Sequence, residues 1–146
     1  MTTGNSNFFG GYQAGYNATN DNRAVLIGYQ AGYEASSGDM DDDVAIGYQA
    51  LYNGGGSENV AIGKRAGYLS DSNSYDNVFI GINAGYNTIN YQNVFIGASS
   101  GVNNTTGYDN VFIGDSSQGS SQSTGSNNVY LGSNVARLAN GSANVF

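Results

Sequence analysis

Eleven carboxylates, four cations, no His and no Cys bound the chemistry open to this 146-residue chain. Without His the usual general base is missing, and a Ser nucleophile has nothing beside it to take its proton. Without Cys there is no thiol chemistry, no disulfide and no thiolate ligand for a metal. Carboxylate chemistry survives that filter. Asp42, Glu58 and Asp76 recur at intervals of 16 and 18 residues, with Asp43 beside the first and Arg23 19 residues before it. Brought together at strand spacing, three like charges repel one another, which raises their pKa values or recruits a cation. The sharp reading is a weak Ca²⁺ site at Asp42, Glu58 and Asp76, with Asp39 or Asp41 adding oxygen ligands. The bland reading, solvated turn carboxylates splayed outward, is preferred, so no metal and no cofactor is assigned. On either reading, stability should rise on moving from pH 7 toward 5. Two carboxylates at about 5 Å or 6.5–9.5 Å can also cleave a glycosidic bond. A polysaccharide depolymerase is therefore the one enzyme class that this composition permits.

Aromatic residues offer a binding chemistry instead. Tyr12, Tyr29 and Tyr48 follow one spacing, and Tyr16, Tyr33, Tyr52, Tyr68 and Tyr86 another. Flat rings with a polar tip suit the faces of sugars, which makes Tyr12, Tyr29 and Tyr48 candidate glycan contacts. Packing between structural layers is the plainer account of the same rings. Gly54-Gly55-Gly56 lacks the Lys-Ser/Thr of a phosphate loop.

What would have to position these residues is a repeat. The unit Asn77-Val78-Phe79-Ile80-Gly81 recurs with small changes along nearly the whole chain. Its closing glycines are Gly11, Gly28, Gly47, Gly63, Gly81, Gly97, Gly114 and Gly132, spaced 16 to 19 residues apart. A ninth unit opens at Asn144-Val145-Phe146, where the sequence ends inside a repeat. The small residue three after each Gly is Ala14, Ala31, Ala50, Ala66, Ala84, Ser100, Ser117 or Val135. Val-x-Ile places two aliphatics on one face of a short strand, and the Gly ends it in a turn. About 17 residues with short strands and polar turns make one coil of a β-solenoid, and residues 1–146 read as one such domain of about eight coils. Leading Asn residues at 59, 77, 93, 110, 128 and 144 would stack as a hydrogen-bonded ladder.

The x position is apolar or aromatic in every unit, as in Phe9, Leu26, Ala45, Ala61, Phe79, Phe95, Phe112 and Tyr130. Strands apolar on both faces are strands covered on both faces. If Val and Ile pack inside the coil against the Ala column, the x residues must be covered from outside. Phe9, Leu26, Phe79, Phe95, Phe112 and Tyr130 are therefore assigned to a homo-oligomer interface.

Composition agrees with this class. Gly 23, Asn 21 and Ser 17, with charged residues at 10%, exclude a helical bundle. The 12% of aromatic residues argues against disorder. A net charge of −7 makes nucleic acid and an anionic membrane poor partners, and no apolar stretch is long enough to span a bilayer. No secretory signal is read at the N-terminus.

Asn59-Val60-Ala61-Ile62-Gly63 resembles the repeat of the head domains of trimeric autotransporter adhesins. Ala45-Ile46-Gly47-Tyr48-Gln49-Ala50-Leu51-Tyr52 is similar to repeats in phage tail fibres. The resemblance spans residues 7–146. It implies an all-β, left-handed parallel β-roll with three chains side by side. On that basis the expectation is a non-enzymatic, structural and adhesive segment of a trimeric fibre, a phage tail fibre engaged in host attachment. A bacterial surface adhesin head is the first alternative, and a tailspike-like depolymerase the second. The expected place is the virion, or the extracellular face of a cell, and the expected partner a surface glycan or protein receptor.

Overall fold

A computed structural model describes residues 4–34, 40–117, 124–135 and 141–145. Among these residues lie eight strands of three residues each: β1 (Phe8–Gly10), β2 (Val25–Ile27), β3 (Val44–Ile46), β4 (Val60–Ile62), β5 (Val78–Ile80), β6 (Val94–Ile96), β7 (Val111–Ile113) and β8 (Val129–Leu131). They form one sheet in strict chain order, each parallel to the next. Register is exact from coil to coil: Val44 pairs with Val60, Ala45 with Ala61 and Ile46 with Ile62. The chain is an all-β parallel solenoid of about seven turns.

Both the strands and the turns carry the coil-to-coil ladder. The Gly28 N–H donates to the Gly10 carbonyl at 2.8 Å, and the Gly47 N–H to that of Ile27 at 2.8 Å. Farther round the coil the Gly15 N–H donates to the Ala31 carbonyl at 2.8 Å. The closing Gly is a steric necessity at these corners. Gly28 has φ +136°, and a Cβ there would lie 2.3 Å from the carbonyl oxygen of Gly47 in the next coil. Two further corners use left-handed backbone without glycine. Gln13, Gln30, Gln49 and Arg65 share one, and Arg23, Asp42, Glu58 and Asp76 the other, with φ between 51° and 63°. Isolated left-handed residues of this kind are costly individually. Here backbone hydrogen bonds to the adjoining coils hold each turn.

The inside of the coil is the reverse of the sequence expectation. Leu26, Phe79, Phe95 and Phe112 have no exposed surface in a single chain, Tyr130 has 1%, and Phe9 packs against the same core. The flanking Val and Ile are half-buried or exposed, reaching 36% at Ile27, 37% at Ile62 and 38% at Ile113. The residues assigned to an oligomer interface are thus the coil's own core, and the Val–Ile face looks outward. Parity explains the inversion. Asn77 and Phe79 lie two apart on a strand and share a face, and the Asn ladder is buried beside the rings.

Room for the rings comes from a second glycine four after the corner. A Cβ on Gly85 would lie 2.4 Å from the Phe79 ring, and one on Gly101 2.3 Å from the Phe95 ring. In the third coil the strand offers only Ala45, and the same slot is filled by Leu51, itself left-handed at φ 44° and 1% exposed. In none of the first six coils does a large side chain enter from both the strand and the turn, and in the fourth, with Ala61 and Gly67, it enters from neither.

Candidate functional site

Aromatic, amide and acidic rows on the surface and one buried amide row collect the residues capable of chemistry. Tyr12, Tyr29 and Tyr48 stack with centroids 5.2 and 5.3 Å apart. Tyr16, Tyr33, Tyr52, Tyr68 and Tyr86 form a second stack at 4.8–5.2 Å. In-register turns impose this spacing, because the strand separation of about 4.8 Å is also a good ring-stacking distance. Tyr12 at 64%, Tyr29 at 43% and Tyr48 at 43% leave edges and faces open to solvent. Between the two rows runs an amide chain. The Gln30 side chain donates to Gln13 at 3.0 Å, and that of Gln49 to Gln30 at 3.0 Å. Arg65 continues it, donating from Nε to Gln49 at 3.1 Å. Its guanidinium lies 5.9 Å from the Tyr48 ring centroid and 5.5 Å from that of Tyr68. One cation therefore ties the two aromatic rows together.

A third aromatic row, Tyr75, Tyr91 and Tyr108, stacks at 4.8 and 5.2 Å. Sequence reasoning missed it. Its signal is present in Tyr75-Asp76-Asn77, Tyr91-Gln92-Asn93 and Tyr108-Asp109-Asn110, where Tyr stands two before each ladder Asn.

The acidic residues do fall on consecutive coils, but they are not equivalent. Arg23 donates from Nε and Nη2 to the two carboxylate oxygens of Asp42, an exposed pair that holds Asp42 below the usual carboxylate range. The expected rise at Asp42 is corrected on that ground. Glu58 moves the other way, pushed up by its hydrogen bond with Asp76 and then by the Asp76 charge. The two shifts oppose each other in pH dependence. Stability linked to Glu58 is lost as pH rises through its folded pKa, and that linked to Asp42 is lost as pH falls through its own. Asp42, Glu58 and Asp76 do not converge on a cation. Among the described residues no group of three or more His, Cys, Asp or Glu is placed to hold a metal. Asp39 lies outside the described residues.

The buried row is the amide ladder. The Nδ2 groups of Asn77, Asn93, Asn110, Asn128 and Asn144 each donate to the Oδ1 of the preceding rung at 3.0–3.3 Å. The backbone N–H of each of these rungs donates to that same oxygen. Asn59, Asn77, Asn93, Asn110 and Asn128 have no exposed surface. The whole row works on structure, satisfying polar groups that the coil would otherwise bury unpaired.

Comparison with protein-family models, with curated proteins and with solved structures returned no match for the chain. The class is set by the geometry alone: a repeat-built parallel β-solenoid with aromatic ladders on its surface and an amide ladder inside.

Proposed function

We propose that this chain is a structural and adhesive segment of a homotrimeric fibre. Three left-handed rolls stand side by side, each packed through its Val–Ile face. The observation that carries this reading is the outward row of Val44, Val60, Val78 and Val94 with Ile46, Ile62, Ile80 and Ile96, all paired in register and none fully buried. A continuous apolar strip of this kind marks a protein contact. The occupant is further copies of the same chain. A partner must offer apolar groups at the same rung spacing along the same length, and a second copy does so by construction. This moves the interface from the Phe column to the opposite face of the same strands, and keeps the oligomer.

Tyr12, Tyr29 and Tyr48 directly follow the closing Gly and are exposed, so a surface glycan or protein receptor can reach them. Ring faces and hydroxyl tips at about 5 Å intervals suit a chain of sugars. The role is non-enzymatic, and the setting is a phage tail fibre acting in host attachment, at the virion surface. A bacterial adhesin head would use the same faces. Light scattering on the purified chain tests the assembly. The expected mass is that of three copies, and Ile62→Glu with Ile113→Glu should give a folded chain of lower mass. A wild-type monomer would end the proposal. For the adhesive role, binding to an array of surface polysaccharides should weaken in Tyr29→Ala while the melting temperature holds.

A further inference from the structure

Each amide rung of the buried ladder from Asn59 to Asn110 meets one demand. Its Nδ2 donates to a backbone carbonyl three residues before the next rung: Asn59 to Ser74 at 2.7 Å, Asn77 to Asn90 at 2.8 Å, Asn93 to Gly107 at 3.1 Å and Asn110 to Gly125 at 3.0 Å. Asn7 does the same to the Asp21 carbonyl at 2.6 Å. At position 43 the rung is an aspartate with no exposed surface. Its Oδ1 plays the part of the amide oxygen and accepts the Asn59 backbone N–H at 2.6 Å. Oδ2 takes the place of the amide nitrogen, is buried, and makes no hydrogen bond. By register, the carbonyl that this atom should meet is that of Gly56, three before Asn59. An ionised oxygen in that position would face another acceptor. A carboxylic O–H would donate as the other rungs do.

Among the described residues, the surroundings offer no cation to hold a charge. Asp21, buried in the coil before, and Asp41, two residues back, are both acids, and Asp41 Oδ1 already accepts the Asn22 N–H at 2.6 Å. Arg23 is turned outward and engaged with Asp42. Glu58 and Asp76 stand on the exposed stripe, tied to each other. Burial above all pushes the Asp43 carboxyl well above the usual carboxylate range, with the hydrogen bonds from Asn59 opposing and the charges of Asp21 and Asp41 adding to the rise.

We propose that Asp43 is held as a neutral carboxylic acid whose Oδ2–H donates to the Gly56 carbonyl, which makes the third coil a proton-controlled joint in an otherwise pH-indifferent ladder. The sign follows from linkage. The acid form belongs to the folded chain, so stability is complete below the unfolded pKa and is lost as pH rises toward the folded one. Asp43→Asn supplies a permanent donor of the same shape.

The test is thermal melting of the full chain between pH 4 and pH 8, for wild type, Asp43→Asn and Asp41→Asn. Asp43→Asn should melt higher than wild type by on the order of 5 °C at pH 8, with the gap closing toward pH 4. Asp41→Asn should keep the wild-type slope. A gap independent of pH, or an Asp43→Asn chain that is less stable or unfolded at pH 8, would overturn the proposal. Carbon-13 shifts of the Asp43 carboxyl give a second reading. A protonated signal persisting at pH 6 is expected, and an ionised one there would also overturn it.

Discussion

Between β2 and β4 the coil interior is filled by Leu26, Met40 and Leu51 around the small strand residues Ala45 and Ala61, all with at most 1% exposed. From β5 to β8 it is filled by a ring stack, Phe79, Phe95, Phe112 and Tyr130, with centroids 5.7, 4.7 and 4.5 Å apart. The polar ladder divides one coil earlier. It is unbroken from Asn59 to Asn144, but before that it holds Ala24 and Asp43. One backbone thus accepts two fillings. Their difference shows that the coil interior can be filled from either source. Beside Phe79 and Phe95 the turn is Gly, at Gly85 and Gly101, and beside Ala45 the turn supplies Leu51.

The largest effect should come from putting a charge into the ring stack. Phe95→Asp buries an unpaired carboxylate among rings, and circular dichroism should show no cooperative melt. Its neighbour Ile96→Asp points outward, so that chain should stay folded and change only in mass by light scattering. Equal damage from both would mean that the two faces are not distinct.

Next comes an attempt to transplant one half's filling into the other. Phe95→Ala alone should cost about 3–5 kcal/mol in denaturant unfolding. Gly101→Leu alone should be at least as harmful, since its side chain would start 2.3 Å from the Phe95 ring. The double variant recreates the Ala45–Leu51 arrangement, and should recover about 1–3 kcal/mol relative to the sum of the two. Strict additivity would show that the slots do not share one volume.

A smaller effect should follow from making the second ladder resemble the first. Asn110→Asp places an acid between Asn93 and Asn128, and should cost about 1–3 kcal/mol at pH 7. That loss should shrink toward pH 4, because the protonated acid restores the donor to Gly125. The smallest effect belongs to Ala84→Ser. Ser100 and Ser117 already occupy the equivalent slot with their hydroxyls 2.9 Å apart, and the melting temperature should change by no more than about 2 °C.

Much of this was visible before any coordinates. Regular glycines, Val-x-Ile strands, the stacked Asn amides and the Tyr rows starting at Tyr12 and Tyr16 were each assigned from spacing, and each lies where spacing put it. The Phe column was placed on the wrong side, because Val-x-Ile is apolar on both faces. The acidic row was seen too, but like charges were counted without the partner that neutralises Asp42.

Residue order alone is enough for the coil period, the strands and the corners, because each depends on local steric limits that Gly, Asn and β-branched residues announce wherever they stand. It does not say which face of a three-residue strand turns inward. Both faces are apolar here, so alternation gives two equivalent answers. The choice is made by the rest of the coil, whose Asn, Ala and Gly side close over the rings and leave Val and Ile outside. The same closure buries Asp43 among amides rather than in water, and the chemistry of that carboxyl follows from the company the coil gives it.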